Sequence, residues 1–221
     1  MIKESFFILK KDYKSELRNR YSFNSLLLFV IITITILLFS LGLEDISLDI
    51  HAGLFWIIVF FAATNGLSRT FVSEEERGTT LVLKLISESG TIFLGKLLFN
   101  LCLMLLLSLF VFILYLFFMN GFLIKNYFLF FVTIIFGSFG LSSASTIIAA
   151  IISKASNKGT LYPILSFPIL LPLLIILIGL TKSSMIGKSI INELNQFLLI
   201  ISYSGILITV SFLLFDFIWK D

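Results

Sequence analysis

The sequence is poor in the residues that build covalent cross-links and metal centres. Its 221 residues include one cysteine, Cys102, and one histidine, His51. A disulfide needs two cysteines, and structural zinc or iron–sulfur sites usually take several Cys or His ligands. The composition therefore excludes a disulfide framework and argues against a Cys/His metal centre within this chain.

Charged residues are also scarce, at 13% of the chain, whereas 58% of the residues are hydrophobic. An ordinary soluble domain has roughly 25% charged and 45–50% apolar residues. With a mean hydropathy of +1.09 and 26 phenylalanines, the chain has more apolar surface than a water-facing globule of this size can cover. We therefore predict an integral membrane protein whose solvent is the lipid bilayer.

Six windows lack Asp, Glu, Lys and Arg and are long enough to cross a bilayer, which takes about 20 helical residues. They cover residues 21–43, 50–68, 97–124, 126–153, 159–181 and 194–215. Backbone polar groups in lipid must be satisfied within their own segment, so each window is predicted to be a helix. The predicted fold class is all-α integral membrane, with one six-span domain over residues 21–221.

The lysines and arginines indicate how the spans are oriented. Thirteen of the 16 fall on the N-terminal arm, the alternate loops and the tail, and three fall on the opposite loops. Positive charges are retained on the cytoplasmic side, so we predict a multi-pass protein with both termini in the cytoplasm. Retention of positive charge accounts for this basic excess, and we expect no nucleic-acid partner.

The spans themselves contain almost no ionisable side chain. Proton- or ion-coupled carriers place such groups at membrane depth, so their scarcity argues against a secondary transporter. His51 lies at the start of the second span. We interpret it as a capping or interfacial histidine, because one imidazole makes a poor metal site.

Residues 1–20 have the periodicity of an amphipathic helix. The apolar positions follow each other at intervals of three or four: Ile2, Phe6, Leu9, Tyr13 and Leu17. Lys10, Lys14 and Arg18 line another face of the same helix. We predict an interfacial helix that lies along the cytoplasmic surface of the membrane, with a simple positive-inside anchor as the alternative.

Residues 69–96 form a polar segment between spans two and three that is longer than a simple connection needs. The run Ser73-Glu74-Glu75-Glu76 matches a capping box, so a short helix is predicted to begin at Ser73. Gly78 should interrupt or bend it. An apolar side that could face a partner protein or the bilayer is supplied by Leu81, Leu83, Leu85 and Ile86.

The stretch from Gly90 to Lys96 has the G-x-x-x-x-G-K spacing of a phosphate-binding loop. The next residue is Leu97 instead of the Ser or Thr that would hold magnesium, and no strand precedes the stretch. We therefore predict that this chain binds no nucleotide and is not itself an enzyme. Any ATP that it depends on, with its magnesium, is expected on another subunit.

Two spans have distinctive compositions. Span four is rich in small residues, including Gly137, Gly140 and Ala144, which predicts a buried packing helix. Span five contains three prolines, Pro163, Pro168 and Pro172. Each proline removes a backbone donor and bends a helix, so span five is either a gate or hinge, or a static kink accommodated by its neighbours.

Particular motifs in the polar segment and in span five resemble a known family. The motifs Phe71-Val72-Ser73-Glu74 and Glu76-Arg77-Gly78-Thr79, followed by Gly95-Lys96, resemble the permease subunits of ABC-2-type exporters. With the prolines of span five, the length and the six spans, the chain is more narrowly similar to CcmB, the haem exporter protein B family of cytochrome c maturation. The family's F-x-x-D ends here in Glu74, which keeps the carboxylate. Its usual Leu-Glu after Gly-Ser/Thr is replaced by Thr80-Leu81.

The resemblance implies a location and a set of partners. It places the chain in the bacterial inner membrane, with a second permease copy and a separate CcmA-like ATPase subunit that holds ATP and Mg²⁺. It also implies a CcmC-like haem-handling membrane protein and a CcmE-like periplasmic chaperone, with haem as cargo and no cofactor bound by this chain. Residues expected to contact the ATPase are Phe71, Glu74, Glu76, Arg77, Gly78 and Thr79.

Two other functions stay open at this point. One is an ABC-2 permease that exports a lipid, a polysaccharide or a drug. The other is a membrane scaffold that transports nothing. ATP energy in the CcmB-like interpretation either exports haem or frees the haem-loaded chaperone from its complex.

Overall fold

A computed structural model describes residues 2–18, 20–41, 46–155 and 158–220. This part of the chain is helical and contains no strand. The helices are α1 (Ile2–Arg18), α2 (Arg20–Leu41), α3 (Leu48–Leu67), α4 (Arg69–Glu76), α5 (Thr80–Ile86), α6 (Ser89–Phe118), α7 (Tyr127–Ser153), α8 (Lys158–Ile186) and α9 (Leu194–Lys220). A short 3-10 helix, Ile190–Glu193, precedes α9.

Six of the described segments are long and apolar enough to span a membrane. They are Phe23–Leu41, Leu48–Glu76, Ser89–Phe118, Tyr127–Ser153, Leu161–Ile186 and Ile190–Trp219. The predicted all-α fold with six spans is therefore confirmed. Residues 42 and 43, at the end of the first predicted window, lie outside the described residues.

Helix α7 occupies the centre of the bundle and packs against α6, α8 and α9. Its most apolar window is 78% buried, compared with 17% for the peripheral α2. A Cβ at Gly137 would lie 2.6 Å from Trp56 Cη2, and one at Gly140 would lie 2.8 Å from Leu173 Cδ2. Ala144 is also fully buried. Small residues on α7 therefore allow α3 and α8 to approach its backbone closely.

Helix α8 continues through all three of its prolines. Pro163, Pro168 and Pro172 lie on exposed positions, so their rings point away from the packed interior. Next to this stretch, the Tyr203 hydroxyl of α9 donates to the Ile169 carbonyl at 2.5 Å. A gate or hinge at these prolines stays a prediction.

The end of the bundle at which α3 begins contains an aromatic cluster around His51. Ser47 caps α3 by accepting a hydrogen bond from the Ile50 amide at 3.4 Å. His51 is only 1% exposed, and its carbonyl accepts a hydrogen bond from the Tyr115 hydroxyl at 3.3 Å. The interpretation of His51 as a capping residue was wrong, because Ser47 is the cap. The loop after α6 covers the imidazole, and a location of His51 at the membrane interface stays a prediction.

Helix α1 packs along the first turns of α6. Its buried face consists of Ser5, Ile8 and Asp12, a spacing of three and four. Phe6 and Tyr13, two members of the predicted apolar stripe, are exposed and point away from the bundle. The side chains of Ile2 and Leu17 lie outside the described residues, and the position of α1 on a membrane surface stays a prediction.

Candidate functional site

The polar segment between spans two and three folds into two short helices. Helix α4 begins at Arg69, directly after α3, and the residue between them, Ser68, has helical dihedrals. The predicted helix start at Ser73 is therefore wrong. The backbone enters this segment already helical, so Ser73 occupies the middle of a helix whose N-terminus was set by α3. The acidic run stands at the helix C-terminus instead.

Gly78 ends α4 with a left-handed turn. Its φ is +65°, and its amide donates to the Glu75 carbonyl at 3.1 Å. The Thr79 amide donates to the Glu74 carbonyl at 3.0 Å. These two bonds form a Schellman motif, which satisfies carbonyls that the helix end would leave unpaired. The predicted interruption at Gly78 is confirmed, because the positive φ favours glycine.

Side-chain bonds fasten the turn further. The Thr79 hydroxyl donates to the Glu74 carboxylate, and the Thr80 hydroxyl donates to Glu75 Oε2 at 2.8 Å. Helix α5 therefore follows α4 in a defined orientation, held by both backbone and side-chain contacts.

The predicted ATPase-contact residues divide into two groups by exposure. Phe71 and Glu74 are buried, and Thr79 is half-buried. Glu76, Arg77 and Gly78 are exposed. Phe71 and Glu74 face the bundle, so any role these two have in partner contact is indirect.

Helix α5 presents an apolar exposed surface, which we call the α5 face: Leu81, Val82, Leu85 and Ile86. Leu83, predicted on this side, is instead buried. Together with Glu76, Arg77 and Gly78, the α5 face forms a continuous stretch of chain with a partly apolar surface. Contact between this surface and an ATPase stays a prediction.

Beneath α4 lies a group of four charged side chains, which we call the ion cluster: Lys11, Asp12, Glu74 and Lys96. Lys96 Nζ is 2.8 Å from Glu74 Oε1 and 2.9 Å from Asp12 Oδ2. Lys11 Nζ is 2.5 Å from the same Glu74 oxygen and 3.3 Å from Asp12 Oδ1. The cluster carries two charges of each sign and is therefore neutral overall.

Burial makes it costly to leave any charge of the ion cluster unpaired. The Lys96 side chain is 2% exposed, and an unpaired ammonium at such a position would lose its hydration without compensation. Lys96 also donates to the Thr70 carbonyl at 3.0 Å. Because its partners come from α1 and α4 while Lys96 belongs to α6, the ion cluster ties three helices together.

Two further contacts extend from the inner side of α4. The Phe71 ring packs against Phe215 and Trp219 of α9, with centroids 5.4 and 5.7 Å apart. The Thr70 hydroxyl donates to Asn100 Oδ1 at 2.7 Å, and Asn100 Nδ2 donates to Thr146 Oγ1 at 2.9 Å. Helix α4 is therefore linked to α9 and, through α6, to the central helix α7.

Glu16 of α1 lies near the C-terminal end of α4. Burial raises the pKa of Glu16, and the nearby charges of Arg77 and Arg69 oppose this rise. Arg77 Nη1 also donates to Ser15 Oγ at 2.7 Å. The exposed turn after α4 thus has its own contact with α1, separate from the ion cluster.

Sequence reasoning missed Lys11, Asp12 and Lys96 as members of the site. Lys96 counted as a positive-inside residue, as the end of the motif that resembles ABC-2 permeases, and as part of the G-x-x-x-x-G-K stretch, which is helical throughout in α6. One signal could have marked it, namely its position as the single charge near the start of a long apolar helix. Asp12 shares a face with Ser5 and Ile8, which is a second signal.

A family model described as CcmB protein matches residues 3–215 of the 221-residue chain. No curated protein matches the chain.

Proposed function

The chain belongs to the CcmB protein family, and from this premise we propose that it is the permease subunit of an ABC-type exporter complex in cytochrome c maturation. A separate, CcmA-like subunit would hydrolyse ATP and press on the surface formed by Glu76, Arg77, Gly78 and the α5 face. The observation that carries the proposal is the ion cluster. It fixes the inner side of this exposed segment to the membrane helices.

The contacts provide a route by which a push on α5 would reach the membrane. The Schellman turn at Gly78 keeps α4 and α5 together, and the ion cluster joins α4 to α1 and α6. Helix α6 is 30 residues long, about 45 Å at 1.5 Å per residue, which is enough to cross the bilayer. A packed, buried connection of this kind moves as a unit between discrete arrangements.

On the periplasmic side of the membrane, ATP hydrolysis would drive haem export or the release of a haem-loaded, CcmE-like chaperone from a CcmC-like membrane partner. Six spans form half of the transmembrane unit that the resemblance implies, so a second copy of the chain completes it. This assembly would reside in the bacterial inner membrane, with α1, α4 and α5 on the cytoplasmic side.

A pair of leucine substitutions tests the docking surface. Leu81 on α5 and Leu123 in the loop after α6 are each 71% exposed, and they lie at opposite ends of α6. We expect Leu81→Gln to lower ATPase stimulation by the permease severalfold in vesicles that contain the CcmA-like subunit. The matched control Leu123→Gln should leave stimulation unchanged. Equal effects, or no binding of the ATPase by the wild-type chain, would refute the docking surface.

A second experiment addresses the cargo and the rival functions. ATP hydrolysis by the reconstituted complex is measured with haem, with the haem-loaded chaperone, and with neither. Stimulation by haem or by the loaded chaperone supports a role in cytochrome c maturation. Stimulation by neither favours an ABC-2 permease for another substrate. A Gly78→Ala variant that leaves hydrolysis unchanged favours a scaffold.

A further inference from the structure

A cavity of about 790 Å³ lies between α1, α2, α3, α4, α6 and α8. One end is polar and is lined by Ser15, Glu16, Arg69, Glu76 and Arg77, and Asp12, Glu74 and Lys96 of the ion cluster also belong to the lining. The other end is lined by apolar side chains of three spans: Leu26, Phe29, Phe99, Leu103 and Pro163. Its volume falls within the range of about 300–1,000 Å³ typical of small-molecule sites. The cavity therefore combines charged groups with an apolar channel between spans.

The positive charges at the polar end lack carboxylate partners at close range. Within the described ranges, no carboxylate lies within 4 Å of the Arg69 or Arg77 guanidinium. Arg77 uses one N–H group on Ser15 and has others available. Both arginines are exposed, so this end of the cavity is open to solvent.

Glu16 lines the same end of the cavity and carries the charge opposite to that of the two arginines. It is half-buried, and no lysine or arginine lies within 4 Å of its carboxylate in the part of the chain that the structure describes. Burial raises its pKa, the behaviour of a carboxylate whose lost hydration is incompletely replaced. The neighbouring ion cluster is neutral by itself and does not compensate Glu16.

We propose that this cavity binds the headgroup of a zwitterionic phospholipid. The Arg69 and Arg77 guanidinium groups take the phosphate, and the Glu16 carboxylate takes the ammonium group. Guanidinium is suited to phosphate because its planar N–H groups can donate two parallel hydrogen bonds to the oxygens. A cationic amine beside Glu16 would supply the positively charged partner that this carboxylate lacks within 4 Å.

The apolar end of the cavity favours a lipid over a soluble phosphate ester. Leu26 and Phe29 of α2 and Leu103 of α6 continue from the charged end along helices that are apolar enough to span a bilayer. Acyl chains attached to the bound phosphate would follow the half-buried Phe29 and Leu103, whereas a soluble phosphate would leave these two side chains partly uncovered. The proposal does not rest on the ATPase partner, because every residue that would contact the lipid belongs to this chain.

Native mass spectrometry of the detergent-purified full chain tests the proposal. The probes are dioleoyl phosphatidylethanolamine and dioleoyl phosphatidylglycerol, which share the phosphate and differ in the ammonium. We expect the ethanolamine lipid to bind about tenfold more tightly, and Glu16→Gln to abolish this preference. Arg69→Gln should weaken both lipids about tenfold. The control Arg18→Gln removes an exposed charge of α1 outside the cavity and should change neither.

Defined results would overturn the proposal. Equal binding of the two lipids by the wild-type chain would refute recognition of the ammonium. Equal losses for Arg69→Gln and Arg18→Gln would assign the effect to general surface charge. Displacement of the ethanolamine lipid by millimolar inorganic phosphate would identify a soluble phosphate site. Thermal unfolding of each variant, measured alongside, shows that binding changes occur in folded protein.

Discussion

Replacing Lys96 with methionine tests whether the ion cluster holds the site together. Methionine keeps much of the length of the lysine stem but removes the ammonium. Asp12 then loses its 2.9 Å partner and Glu74 loses its 2.8 Å partner. Both carboxylates stay buried beside one remaining cation, Lys11, whose side chain is 42% exposed.

The expected loss of stability is large for a single substitution. Removing one partner from a buried ion pair typically costs about 3–5 kcal/mol. Lys11 still contacts both carboxylates, so we expect the lower end of this range, about 3 kcal/mol. Replacing the three buried members of the ion cluster with neutral residues, as Lys96→Met/Asp12→Asn/Glu74→Gln, should recover much of the loss, because the one remaining charge, Lys11, is 42% exposed.

Two measurements report the effect of Lys96→Met on stability and on the packing of α1. Equilibrium unfolding in mixed micelles of a mild detergent and dodecyl sulfate, followed by tryptophan fluorescence, reports the free energy. Thiol labelling of Ser5→Cys in a Cys102→Ser background reports opening of α1, since Ser5 is buried and donates to the Thr91 carbonyl at 3.1 Å. A 3 kcal/mol loss confined to this contact corresponds to labelling about 100-fold faster.

The matched control is Lys10→Met, which removes an exposed lysine from α1, the helix whose opening the labelling reports. It should change the unfolding free energy by less than about 0.5 kcal/mol. The reasoning fails if Lys96→Met is as stable as the control. It also fails if the neutral triple variant is less stable than Lys96→Met alone.

Two further predictions concern α1. Gly95→Ala should lower the free energy of unfolding by about 1–3 kcal/mol, because the new Cβ would lie 2.7 Å from Ile8 Cβ. The control Gly53→Ala, with open space around the new Cβ, should raise the free energy of unfolding by about 0.5–1 kcal/mol in the same assay. The pKa of Glu16 is raised above its ordinary 4.5, so its charged form disfavours the folded state as pH rises through the raised value. Glu16→Gln should therefore unfold at a higher temperature than wild type at pH 7, with the difference shrinking toward pH 4.5; a constant difference would contradict this assignment.

Much of the fold could be predicted from local sequence. The six spans follow from hydrophobic windows because bilayer thickness sets the length of helix required. The break at Gly78 follows from its tolerance of positive φ. The central place of α7 follows from its small residues, since only they let neighbouring helices approach so closely.

The start of α4 could not be predicted in the same way. Ser73 and the three glutamates match a capping box. Helix α4 nevertheless begins at Arg69, because the backbone is still helical at Ser68, directly after α3. A capping motif acts only where the preceding backbone is not already helical. Whether it is helical depends on the packing of α3 and α6 around this segment.

The sequence by itself determined that this chain crosses a membrane six times and carries a polar segment after its second crossing. Both are properties of consecutive residues and of the thickness of the surrounding lipid. Only the tertiary structure decided that Glu74 faces inward to Lys96 and Asp12 and that the α5 face is left exposed. Those pairings join residues from three helices, and ionic contacts between distant parts of a chain are set by how the helices pack.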